Sequence, residues 1–107
     1  MTTDAGSAYE AVASEIVSGS PSTTGKMFGM PCLKNEYGKA FAGFYEGEMV
    51  FKLAGPAHAE ALALSGAHLF DPMGGRPMKE WVQVPAEHAS RWSELGWEAL
   101  RYSTEGR

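Results

Sequence analysis

Cysteine, histidine and methionine are the residues of this 107-residue chain whose types and spacing could do chemistry. Cys32 is the only cysteine, and Met27 and Met30 come shortly before it. A histidine close to Cys32 could lower the pKa of the thiol and form a nucleophilic pair. Thiolate and thioether ligands together would instead suit Cu(I). The three histidines are His58, His68 and His88.

The surroundings of these residues favour packing over chemistry. A lone cysteine in a strand is usually a small buried hydrophobic residue, and methionine is an adaptable core filler. In a regular strand Met30 and Cys32 share a face that Met27 does not, and the histidine spacing matches no zinc site. We therefore predict no catalytic residue, no cofactor and no metal. The alternative is a ligand-binding or enzymatic domain that uses Cys32 with a nearby histidine.

The glycine pair in residues 71–77 (DPMGGRP) could form a small anion-binding nest of backbone amides beside Arg76. No strand, glycine loop and helix surround it in the order that a phosphate-binding or dinucleotide-binding loop requires. A turn or loose hairpin tip is the simpler prediction.

Length and charge indicate one domain over residues 1–107, with a single core of two packed layers. The net charge is −4 without a lysine run, which does not favour strong nucleic-acid binding by this domain alone. The sequence shows no apolar run of membrane-spanning length, no export signal and too few cysteines for an internal disulfide. We expect a cytoplasmic protein that does not enter a membrane.

Hydrophobic spacing predicts three helices, over residues 4–18, 56–64 and 86–102. Gly19 is well placed to end the first helix. Gly96 lies inside the last helix, where a glycine weakens the helix and indicates close packing against a bulky neighbour.

Four segments are predicted as strands: residues 25–33, 39–45, 48–53 and 78–84. The second and third form a hairpin with a two-residue turn at Glu46-Gly47. That turn sets a register with the pairs Tyr45–Glu48, Phe44–Met49, Ala42–Phe51 and Ala40–Leu53.

Alternation of side chains then gives the hairpin a core face and an outward face. The outward face is more apolar than a solvated sheet face should be, which indicates association unless a loop or the strand of Trp81 covers it. We therefore predict an interaction surface for an unknown protein partner or a homodimer. Its residues are Phe41, Tyr45, Val50 and Lys52.

The order helix, three strands, helix, one or two strands, helix predicts an α+β domain. In this two-layer arrangement the helices lie on one face of an antiparallel sheet.

Three stretches, KMFGMPC, GKAFAGFYEGEMVFKL and GGRPMKEWVQVP, resemble in order and spacing the N-terminal domain of the TfoX (Sxy) competence regulators. The sequence resembles YjbR/MmcQ-like proteins more loosely. The similarity covers about residues 26–102. It implies the same two-layer fold, with a topology like that of secretion chaperones.

Two departures from this family bear on function. Longer competence regulators carry a second, C-terminal domain, which would begin where this sequence stops. Many members also have a glycine- and tyrosine-rich stretch where this chain has Met30-Pro31-Cys32. We therefore expect a small regulatory or protein-interaction module without catalytic activity, and not specifically a competence factor.

Overall fold

The computed structural model describes residues 4–105, in which three α-helices pack on a six-stranded antiparallel sheet. The predicted α+β class is confirmed. The helices are α1 (Ala5–Gly19), α2 (Gly55–Leu62) and α3 (Ala89–Glu105), the last preceded by a short 3₁₀ turn, Ala86–His88. The strands are β1 (Thr23–Met27), β2 (Met30–Lys34), β3 (Ala40–Tyr45), β4 (Glu48–Lys52), β5 (His68–Phe70) and β6 (Met78–Val84). Their order in the sheet is β1-β2-β3-β4-β6-β5.

The single strand predicted over residues 25–33 is in fact a hairpin, β1 and β2. Phe28 and Gly29 form its turn, with positive φ angles of 52° and 76°. Two successive positive φ angles are typical of the type I′ turn, whose twist matches that of the flanking strands. Pro31 lies within β2, but the pairing of β2 with β3 ends at Cys32, so this proline interrupts no β2–β3 pair.

The Glu46-Gly47 turn was predicted correctly, and it sets the expected pairs Tyr45–Glu48, Phe44–Met49 and Ala42–Phe51. The predicted pair Ala40–Leu53 is not formed, because the pairing of β3 with β4 stops at Ala42–Phe51. In the pairing with β2, Leu33 lies opposite Ala42 but Lys34 lies opposite Ala40, which leaves Phe41 as an extra residue in β3. Such a bulge rotates one side chain out of the alternating pattern.

The main core lies between the helices and the sheet. Ile16, Leu33, Phe51, Val82 and Trp92 are buried within it. The ring of Phe44 meets the Trp92 ring edge-on at 6.5 Å, and the buried Trp92 Nε1 has no hydrogen-bond partner within residues 4–105.

α1 and α3 approach each other closely at Gly96. A Cβ atom at this position would lie 2.7 Å from Cδ1 of Ile16, closer than real Cβ contacts allow. Gly96 therefore allows the close approach of the two helices, which confirms the close packing predicted there.

A second, smaller cluster of buried residues contains Met30, Val50, Phe70 and Trp81. It follows a diagonal across the sheet, and the ring of Phe28 lies 6.4 Å from that of Phe70. In a flat sheet β2 and β5 would be roughly 19 Å apart, since four strand spacings separate them. Strand twist of about 20° per step brings two opposite corners of the sheet towards each other and closes this cluster.

Candidate functional site: the surface around Phe28

Two of the four residues predicted for the interaction surface are fully buried. Phe41 has no exposed surface and belongs to the main core, because the bulge in β3 turns its side chain towards the helices. Val50 does face away from the helices as predicted, but the second cluster covers it completely. The assignment of Phe41 and Val50 to an exposed surface is therefore wrong.

The other two predicted residues are half-buried. The Tyr45 ring packs against Phe70 at 5.2 Å, at the rim of the second cluster. The Lys52 ammonium lies 3.9 Å from the Glu80 carboxylate, which also accepts a hydrogen bond from the Tyr102 hydroxyl. Tyr45 thus remains next to an apolar rim, whereas Lys52 belongs to a separate polar group at the end of the sheet.

Several exposed or half-buried apolar side chains lie at the rim of the second cluster or close to it in the chain. Phe28 is 59% exposed although its ring touches Phe70, and Met73 is 81% exposed shortly after Phe70 in the chain. The other members are half-buried and pack against the cluster. We call the set the Phe28 surface: Met27, Phe28, Tyr45, Met73 and Met78.

The backbone of Phe28 is strained. Its φ of 52° lies in the left-handed region, which disfavours bulky L residues and suits asparagine or glycine in this type of turn. The ring contact with Phe70 stabilises the fold by only about 1 kcal/mol. Sequence analysis missed this residue as a site because Phe-Gly is not a typical type I′ pair.

Cys32 is fully buried in β2 between two glycines, Gly25 and Gly43. Met30 lies over Gly43, with its Cε 2.6 Å from where a Cβ would stand, and the Lys34 chain lies similarly over Gly25 at 2.9 Å. Burial raises the pKa of the Cys32 thiol, although nearby Lys34 opposes this. The thiol is thus protonated at neutral pH and shielded.

The histidines are engaged elsewhere. Each ring lies at hydrogen-bonding distance from a backbone carbonyl oxygen: His58 from Lys79 at 2.8 Å, His68 from Leu69 at 3.0 Å, and His88 from Ser65 at 2.9 Å. His68 shares a row of the sheet with Cys32 but stands four strands away. Within residues 4–105 no three His, Cys, Asp or Glu side chains gather as a metal site.

The loop after β5 does form the amide nest that its glycines suggest, but the nest holds a group of the chain itself. The Asp71 carboxylate accepts hydrogen bonds from the backbone N–H of Gly74 and Gly75, both at 2.8 Å, and of Arg76 at 3.3 Å. These bonds, that of Gly75 first, lower the pKa of Asp71. The carboxylate occupies the place that a bound anion would take.

A groove of about 480 Å³ beside α3 is lined by Trp97, Leu100 and Arg101. Two of its polar side chains already have partners. Trp97 Nε1 donates to the Glu15 carboxylate, and the Arg101 guanidinium pairs with Glu98 and Glu105. The groove therefore presents few free polar groups to a ligand.

No family model, curated protein or solved structure matches this chain. None of the helices in residues 4–105 is long and apolar enough to cross a membrane.

Proposed function

We propose that this chain is a cytoplasmic protein-interaction module with a regulatory role and no catalytic activity, of the kind found in the TfoX N-terminal domain. The observation that carries the proposal is Phe28, an exposed aromatic residue held in a strained turn. Strain that folding does not explain is typical of functional positions. Aromatic anchors supply much of the energy of protein–protein contacts.

The neighbours of Phe28 suit a protein partner. Met27, Met73 and Met78 are flexible and polarisable, so they adapt to apolar segments of different shapes. Phe28 and Met73 are the strongly exposed residues of the Phe28 surface. The apolar area that two such side chains expose is smaller than the area that a stable homodimer buries. The contact is accordingly a transient one with a different protein.

The test compares the wild-type protein with Phe28→Asn. Asparagine followed by glycine is preferred in this turn, so the variant keeps the fold while removing the ring. Leu62→Asn is the matched control, since Leu62 is an exposed apolar residue on α2, 37% exposed. Proteins of the native host retained on immobilised wild type are identified, and the retained partner is then purified and titrated.

We expect Phe28→Asn to weaken binding of the purified partner about tenfold or more, a loss typical of an anchor residue. Leu62→Asn should bind as the wild type does. Equal binding by all three proteins, or an equal loss in both variants, contradicts the proposal.

Labelling of Cys32 tests the enzymatic alternative. Because the thiol is buried and its pKa is raised, a thiol reagent at neutral pH should modify native protein far more slowly than denatured protein. A native thiol that reacts faster than free cysteine would support the alternative.

A further inference from the structure

The two edges of the sheet differ in how they are protected. β5 forms one edge with three residues and a register shift between Leu69 and Phe70. Short edge strands and bulges are common devices that prevent pairing with another chain. β1 forms the other edge with five residues, all paired regularly with β2. β1 is therefore the edge that can accept another strand.

The outer side of β1 carries backbone N–H and C=O groups that pair with no other backbone group within residues 4–105. Thr23, Thr24 and Lys26 are exposed on this strand. Threonine favours extended backbone, and β1 contains no proline that would remove a donor. The row of free groups is a template for strand addition.

β1 is continuous with the Phe28 surface. Met27 is the last residue of β1 and packs against the second cluster, and Phe28 follows it directly. A strand added along β1 would end near the turn that holds Phe28, whose ring is 59% exposed. Backbone hydrogen bonds would then supply affinity and the aromatic contact would supply selectivity.

The charge of this hairpin indicates the chemistry of the added strand. Lys26 and Lys34 lie on opposite faces of the hairpin, and neither β1 nor β2 contains a carboxylate. The chain as a whole has a charge of −4. Two copies meeting at β1 would bring like charges together, whereas an acidic strand would be attracted.

We infer that β1 binds an extended, acidic segment of another protein as an added strand, whose apolar end contacts Phe28. This inference rests on the proposed function and names the binding mode of the same surface.

The probe is the synthetic peptide EVEVTL, titrated into isotope-labelled protein while amide shifts and amide exchange are recorded. KVKVTL is the charge-reversed control, and EVEPTL, which keeps both glutamates, is the control that cannot form a regular strand. We expect saturable binding of EVEVTL that slows amide exchange in β1 and not in β5. The two control peptides should bind at least about tenfold more weakly.

The protein variants are Lys26→Glu and, as a control with the same change of charge, Lys79→Glu on β6. Lys26→Glu should lower the affinity of the protein for EVEVTL about tenfold, while Lys79→Glu should leave this affinity nearly unchanged. The inference is overturned by equal losses in the two variants, by equal binding of KVKVTL, or by no saturable binding.

The Phe28→Asn variant separates this inference from the proposed function. Peptide shifts confined to the Phe28 surface would overturn strand addition and leave the proposed function standing. Protection of β1 that is as strong in Phe28→Asn as in wild type would support strand addition and contradict the anchoring role of Phe28.

Discussion

At the scale of single residues, Phe41 shows how a bulge decides which side of a sheet a side chain occupies. Phe41 and Ala42 are adjacent in β3, where neighbouring side chains normally point to opposite faces, yet both belong to the main core. Ala40 packs with the second cluster. Phe41 should accordingly behave as a core residue, although simple alternation along β3 assigns it to the opposite face.

We predict that Phe41→Ala lowers the free energy of unfolding by about 3–5 kcal/mol, as Phe51→Ala should, because each removes a fully buried ring. Urea denaturation of the two variants, with the exposed Leu62→Ala as control, measures the loss. A loss for Phe41→Ala as small as that for Leu62→Ala would mean that the bulge is absent.

The success and the failure of sequence analysis at this hairpin have separate physical causes. The turn at Glu46-Gly47 is a local signal, and it determined the pairing of Phe44 and Ala42 correctly. The bulge depends on how β3 meets β2, a contact between separate segments. Nothing within β3 itself indicates that Phe41 is the extra residue.

At the scale of elements, the packing of α1 on α3 depends on the absence of a Cβ atom at Gly96. Ala would favour the helix at position 96 by about 1 kcal/mol over Gly. Its Cβ would however meet Cδ1 of Ile16, a buried atom with little room to move.

We predict that Gly96→Ala destabilises the protein by about 1–3 kcal/mol through overpacking. Ile16→Val removes Cδ1, so adding Gly96→Ala to that variant should be neutral or stabilising. A double-mutant cycle by thermal or urea unfolding gives the coupling energy. Additive effects of the two changes would contradict the contact.

The helices and strands themselves were easier to predict than the turns and contacts that connect them. The end of the first helix was indicated by Gly19, and the class of the fold followed from the order of elements. The turn at Phe28 was missed because its sequence is atypical. The second cluster was missed because it arises from sheet twist, which joins residues far apart in the chain.

At the scale of the whole molecule, a carboxylate links the first and last helices. Glu15 accepts hydrogen bonds from Ser93 Oγ at 2.6 Å and Trp97 Nε1 at 2.5 Å. These bonds, that from Ser93 first, hold the pKa of Glu15 below its ordinary value. A lowered folded-state pKa contributes stability above the unfolded-state pKa, and this is lost as pH falls through the folded-state pKa.

We predict that Glu15→Gln reduces the melting temperature at pH 7. Below about pH 4.3, the usual pKa of glutamate, the melting temperature of this variant should fall less steeply with pH than that of the wild type. Glu10→Gln, which removes another exposed carboxylate of α1, is the control. Melting curves between neutral and acid pH compare the three proteins. If the melting temperatures of wild type and Glu15→Gln fall equally steeply at acid pH, protonation of Glu15 does not weaken the contact between α1 and α3.

The link between Glu15 and Trp97 spans 82 residues, so it has a consequence for the order of events during synthesis. The ribosome releases α1 and both hairpins well before α3, and the buried Trp92 of the main core comes only with α3. Until then the apolar helix-facing side of the strands has no complete cover. A growing chain would therefore rely on quick completion, or on a chaperone, to avoid aggregation.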